Sequence, residues 1–225
     1  MFERDGNRGD GVMMRTMAAA LAVSVALAGP ALANPSTQDP AKVPAGTYVL
    51  DKRHASLTTK IVHMGFSHYT LRFNGLDGAF TYDPANWQQT KLTFTADPKS
   101  VDTNDPAFNK QIAGYLDADK FPAITFRSTA VRLTGPHAAK VTGNLTLHGV
   151  TKPVTLDVTY NGGYPANAMD PGGARIGFSA HGVFKRSAFG MGYGVPAAGS
   201  NMGVGDDVDV AIETEFSDGK PPAKK

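Results

Sequence analysis

Six histidines, His54, His63, His68, His137, His148 and His181, are the side chains best suited to acid–base or metal chemistry in this sequence. None forms a close pair at i, i+2 or i, i+4 with a flanking carboxylate, so a zinc site has little support. A lone strand histidine is more often a hydrogen-bonded structural residue. His63 stands apart: it shares an inward-reading side with Leu57 and Ile61, next to Gly65 and Phe66, and could meet a ligand's polar end or cap a strand. Ser187, preceded by Lys185 and Arg186, lacks the Gly-x-Ser-x-Gly elbow of a hydrolase, although a triad with His181 or His63 could assemble in space. The glycine run GMGYG at 190–194 has neither the spacing nor the following helix of a dinucleotide site and reads as a flexible loop. Asp206–Asp207 and Asp117/Asp119 lie in turn-like segments, where solvated carboxylates are the ordinary outcome. No catalytic set, metal site or cofactor is expected.

The elements that would position these groups alternate with period two. Strands are expected at Thr47–Asp51, Ser56–His63, Leu71–Tyr82, Lys91–Asp97, Ile124–Leu133, Val141–Leu147, Val154–Tyr160, Ile176–Phe184 and Val208–Phe216. Within 124–133 the phase shifts at Ala130–Val131, as at a bulge. One segment, about 105–120, has helical spacing through Phe108, Ile112 and Tyr115 or Leu116, with Pro106 suited to its first turn. Eight or nine strands with one helix cannot be covered as a parallel sheet, which leaves a sandwich or a closed antiparallel barrel. An eight-stranded barrel is wide enough either to be filled by its own side chains or to hold one small ligand. The inward set mixes large residues (Phe80, Phe94, Phe126, Leu145, Leu147, Phe178) with small ones (Gly78, Ala96, Gly143, Ala180, Gly182). Interdigitation and an open channel are equally compatible with that mixture.

The first part of the chain reads as an export signal. Arg15 precedes the apolar run Met17–Gly29, and Ala31-Leu32-Ala33 offers a small-x-small cleavage pattern. The run is too short for the ~20 residues of a membrane span. Cleavage after Ala33, from a start at Met1, Met13 or Met14, leaves 34–45 as a flexible Pro-rich lead, one domain over 46–217 and a disordered basic tail over 218–225. The removed part carries three basic and three acidic residues, so the formal charge stays +2. Near balance gives no reason to expect nucleic acid. Cysteine is absent, which removes disulfides, thiolate catalysis and Cys-ligated zinc.

Taken in order, several stretches resemble the YceI-like family, exported polyisoprenoid-binding proteins with a lipocalin-like barrel. They are Tyr48-Val49-Leu50-Asp51 with His54 and Ser56, His63-Met64-Gly65-Phe66-Ser67, Val101-Asp102-Thr103, and Phe121-Pro122-Ala123-Ile124-Thr125-Phe126 with Ser128. Gly143 to Val154 (GNLTLHGVTKPV) and Arg186-Ser187-Ala188-Phe189-Gly190-Met191 complete the set. Members often carry an Arg-Asp-x-His-Leu element before the helix; here that region reads Asp105 to Ile112, and Ala188 replaces the usual acid after Arg-Ser. The resemblance implies an all-β, antiparallel eight-stranded lipocalin-like barrel in the periplasm that binds, stores or transports an isoprenoid lipid, a quinone tail or polyprenyl phosphate, without catalysis. Phe66, Phe73, Phe80, Phe94, Phe126, Leu145, Leu147, Phe178 and Phe189 are then expected to line the lumen, and His63, Lys185 and Arg186 to receive a polar head. A membrane protein could donate or accept the lipid, and the protein would be a monomer or homodimer. The rival readings are an enzyme on a lipid or small apolar substrate with His63 or His181 as general base, and a filled barrel serving interaction or stress protection.

Overall fold

The computed structural model describes residues 36–170 and 172–220. The expected signal, its cleavage site and the last five residues of the tail lie outside the described residues. Ten strands and one α-helix run in the order β1 Gly46–His63, β2 Ser67–Phe73, β3 Leu76–Tyr82, β4 Lys91–Ala96, β5 Val101–Asp102, α1 Pro106–Tyr115, β6 Ile124–Gly135, β7 Ala138–Leu147, β8 Val150–Tyr164, β9 Arg175–Lys185 and β10 Val204–Ser217. Eight of them close an antiparallel ring, β1-β10-β9-β8-β7-β6-β4-β3 and back to β1. Closure gives each of the eight strands a strand partner on both sides, which an open sheet of this alternating composition could not do.

β1 joins two stretches that read separately from sequence. Its register against β10 slips between Leu50 and Ala55, where Asp51 turns to accept from the Arg53 backbone N–H. One edge of β1 pairs first with β3 (Gly46↔Tyr82) and then with β2 (Leu57↔Phe73). The expected strand 71–82 is therefore two strands, broken at Asn74–Gly75. β2 extends the wall beyond the ring and carries β5 on its outer edge. α1 follows, capped by Asp105, whose carboxylate accepts from Ala107 N and Phe108 N, with Pro106 at the start. The expected bulge in β6 is present, between Ser128 and Ala130.

The β7–β8 hairpin turns on only His148 and Gly149, both with positive φ (52° and 76°), as a type I′ turn requires. A Cβ on Gly149 would stand 2.4 Å from the Phe121 ring. Gly149→Ala is expected to cost about 2 kcal/mol and to lower Tm by about 4–8 °C, measured by thermal unfolding.

The segment expected to be a flexible lead is ordered. Thr37 bridges to Gly163, Pro40–Lys42 forms a 3-10 turn capped by Asp39, and Val43 is 1% exposed in the core. The start of the expected disordered tail is also held: Asp218 accepts from Ala174 N and donates its own N–H to Ala174 O.

Candidate functional site

The barrel is hollow. A cavity of about 1280 Å³ runs along it, bounded at one end by His63, Tyr69, Tyr115 and Tyr193 and at the other by Tyr82, Tyr160 and Pro40. Ordinary small-molecule sites span roughly 300–1,000 Å³, so this one suits a longer occupant. The inward glycines at 143 and 182 do not create that space. A Cβ on Gly143 would lie 2.4 Å from the Phe126 ring, and one on Gly182 2.6 Å from Leu156. These glycines let large neighbours lie along the wall, so large and small residues interdigitate while the lumen stays open.

At the closed end, an aromatic cluster forms the floor. Phe80 stacks on Tyr48 (5.4 Å) and meets Phe216 and Phe178 edge-on (4.9 and 5.7 Å). Three phenols reach across to the lead: Tyr48 donates to Pro44 O (2.7 Å), Tyr82 to Pro40 O (2.9 Å) and Tyr160 to Thr37 O (3.1 Å). Burial pushes the Tyr82 and Tyr160 phenols up to about 12. Both therefore remain donors at any physiological pH, and the strap they hold forms part of the cavity wall.

At the mouth, Arg186 decides the geometry. Its Nε donates to Gly205 O (2.9 Å), Nη1 to Met191 O (2.5 Å) and Tyr193 O (2.8 Å), and Nη2 to Val204 O (2.7 Å). Four of its five N–H groups thus tie down the glycine-rich loop, so GMGYG is a clamped rim. Burial pushes the guanidinium pKa down, but an arginine in a protein keeps its proton.

Seven of the residues expected to line the lumen do so: Phe73, Phe80, Phe94, Phe126, Leu145, Leu147 and Phe178. Two do not. Phe66 sits in the β1–β2 turn, 82% exposed, because the strand alternation that would have aimed it inward ends at His63. Phe189 is buried behind the wall against Phe184 (5.3 Å), outside the cavity lining. Of the expected head-group residues, His63 and Arg186 line the cavity and Lys185 does not. Lys185 follows inward Phe184, so the pleat turns it outward to Asp207 (2.8 Å).

The aliphatic share of the wall comes from Leu57 and Ile61, on the side of β1 that reads inward with His63, and from Val208, Val210 and Ile212 of β10, whose alternation was visible but which were not among the expected lining residues. The sequence reading missed Phe108, Gln111 and Tyr115 of α1, which close the side where β2 and β5 leave the ring.

Ser187 and His181 pair with carboxylates and not with each other. Ser187 donates to Asp206 (2.8 Å), and His181 faces Asp209 (3.1 Å) from the exposed side of β9.

A model of the YceI-like domain matches residues 48–216. The chain belongs to the YceI-like family. A UPF0312 protein of Pseudomonas putida strain W619 is 38% identical over 89% of this chain and 97% of its own length. One from Vibrio cholerae is 36% identical over 76% of this chain and 87% of its own. Among solved structures, BcnA of Burkholderia cenocepacia has a TM-score of 0.62 at 27% identity, covering 74% of this chain and all but 2% of that one. A polyisoprenoid-binding domain of Saccharophagus degradans has a TM-score of 0.54 at 15% identity, covering 78% and 98%, and shows the shared fold.

This YceI-like barrel also carries an ion network on its outer wall. Arg175 donates to Asp51 (2.6 Å) and to Asp170, with His54 (3.0 Å from Asp51) and Glu215 alongside. The hydrogen bond from Arg175 holds both aspartates below the usual carboxylate range, Asp170 at about 2. A carboxylate with a depressed folded pKa stabilises fully above its unfolded value of about 3.9 and loses that contribution as pH falls through the folded value. The contribution of these two aspartates is therefore expected to be constant above about pH 5 and to be lost progressively as pH falls below about 4, while His54, whose pKa the Asp51 hydrogen bond raises, adds stability at low pH that is lost as pH rises through its folded value. Arg175→Ala should cost about 2 kcal/mol at pH 7 and flatten the acid limb in denaturant titrations.

Proposed function

We propose that this protein is a non-enzymatic, exported carrier or reservoir for an isoprenoid lipid held lengthwise in the barrel. The observation that carries this reading is the apolar cavity of about 1280 Å³, floored by aromatic rings and open among Tyr69, Tyr115 and Tyr193. At roughly 30 Å³ per water-sized group, it accommodates on the order of forty non-hydrogen atoms, the scale of a polyprenyl chain of about eight units. Burial returns about 0.8 kcal/mol per CH₂-sized group, so such a chain binds tightly without polar chemistry even after ordering costs.

The lipid's polar end belongs at the mouth, where His63, Gln111 and Arg186 border the cavity. The floor is unsuited to it, being aromatic and strapped by the lead. A periplasmic location follows from the export reading of residues 1–33, and the likeness to the Saccharophagus domain contributes the fold while the ligand rests on the cavity.

Native mass spectrometry of protein purified without detergent, with extraction of the bound material, tests the proposal. A co-purifying adduct of isoprenoid mass is expected, with a Tm that falls on delipidation. A barrel that stays empty with every long-chain isoprenoid offered, and melts independently of them, would refute it.

A further inference from the structure

Five of the large apolar side chains exposed on this molecule gather at the cavity mouth. Phe66, Met202 and Tyr193 are 82%, 67% and 84% exposed, with Val62 and Tyr115 beside them, whereas Val49, Leu133, Met169 and Val183 belong to other segments. The gathering is built into the fold. Met64 N donates to Gly203 O (2.8 Å), which sets the β1–β2 turn bearing Phe66 against the loop bearing Met202. Tyr193 stacks on Tyr115 at the end of α1 (6.2 Å). Arg186 fixes the same loop through Met191, Tyr193, Val204 and Gly205, so the exposed side chains stand on anchored backbone.

The chemistry of this rim is selective. Residues 190–203 contain no charged side chain, and neither do residues 64–67. The charges next along the chain are already spent on one another, Lys185 with Asp207 and Asp206. These two segments offer a partner recognised by charge nothing to pair with. An isolated exposed apolar residue is ordinary, but a cluster around an opening marks an interaction site. A bilayer interface accepts Tyr and Phe at headgroup depth and requires no charge complement.

We infer that the rim formed by Phe66, Met202, Tyr193 and Tyr115 docks on the surface of an uncharged lipid bilayer, placing the cavity mouth against the lipid it loads or discharges. The surface role rests on the carrier reading for its purpose, though not for its physics. Among the described residues no helix is long and apolar enough to cross a membrane; the docking inferred is peripheral, a few side chains deep. Phe66 and Met202 reach outward and are not part of the cavity wall, which separates docking from lipid holding.

The test is flotation of the purified protein with phosphatidylcholine vesicles, comparing it with the Phe66→Ser/Met202→Ser double variant. Burying each apolar side chain is worth at least about tenfold in partition, so the double variant is expected to lose on the order of a hundredfold. Its Tm and its uptake of an isoprenoid quinone from detergent should be unchanged. Partition should vary less than about twofold between low and high salt, since surface charge does not drive it. Equal flotation of the two proteins, or binding abolished by salt, overturns the docking surface. So does a native protein that ignores vesicles but forms a dimer that the variant cannot, which would assign the rim to a second copy. Quinone uptake without flotation leaves the carrier standing and removes the docking site. Rim-dependent flotation without uptake of any isoprenoid does the reverse.

Discussion

Replacing Arg186 with methionine is expected to lower the unfolding free energy by about 4 kcal/mol. Methionine matches much of the side chain's length and keeps the apolar stem, so the loss isolates the guanidinium. Four carbonyls, Met191, Tyr193, Val204 and Gly205, lose their donor at once. A hydrogen bond from a charged donor contributes roughly 1.5–3 kcal/mol, and the desolvation cost of the buried charge offsets part of the sum. Lysine should rescue little, because a point ammonium cannot span four acceptors arranged around a planar fork. Denaturant titration gives the stability change. Hydrogen exchange at Val204 N, which donates to Gly194 O across the loop, reports whether the rim has come loose. If Arg186→Met unfolds at the same denaturant concentration as the native protein, the clamp has been misread.

That residue also shows where the sequence stopped being informative. Arg186 was legible as a cation near a barrel mouth, and its adjacent position to Lys185 invited one role for both. The pleat separates them: Lys185 is outward by simple alternation from Phe184, which could have been deduced. Arg186 lies past the strand end, where alternation no longer applies, and its partners are backbone carbonyls that no residue type announces. The same limit explains Phe66. It follows His63 in sequence, but the positive φ of Met64 and Gly65 (52° and 71°) turns the chain before it. The strands themselves were readable from period-two alternation, which suits a sandwich as well as a barrel; the closed eight-stranded ring was implied by the resemblance to the YceI-like family. The order of the lead was not readable, since Tyr160 holds Thr37 O from 123 residues away, and a Pro-rich segment carries no local sign of that bond.

Filling the lumen separates holding a lipid from folding, because the wall has space that a packed core lacks. Ala180 of β9 lines the cavity and sits on the same strand as Phe178 and Phe184. Its neighbours across the strands, Val158 and Ile212, also face the lumen. A tryptophan at Ala180 would project into open volume instead of into a packed neighbour. Overpacking a dense core costs about 1–3 kcal/mol; here the added ring gains contacts in an otherwise unfilled space, and stability is expected to change by less than about 1 kcal/mol. The lipid must then detour around an indole at mid-barrel. Losing burial for two isoprene units, about ten CH₂-sized groups at about 0.8 kcal/mol each, would weaken binding by several hundredfold even if half the loss were recovered by shifting the chain. Ala180→Trp is thus expected to express, melt like the delipidated native protein and show no isoprenoid adduct in native mass spectra. A variant that retains the native adduct would mean that the occupant does not pass the barrel's middle, and the lengthwise placement would have to be abandoned.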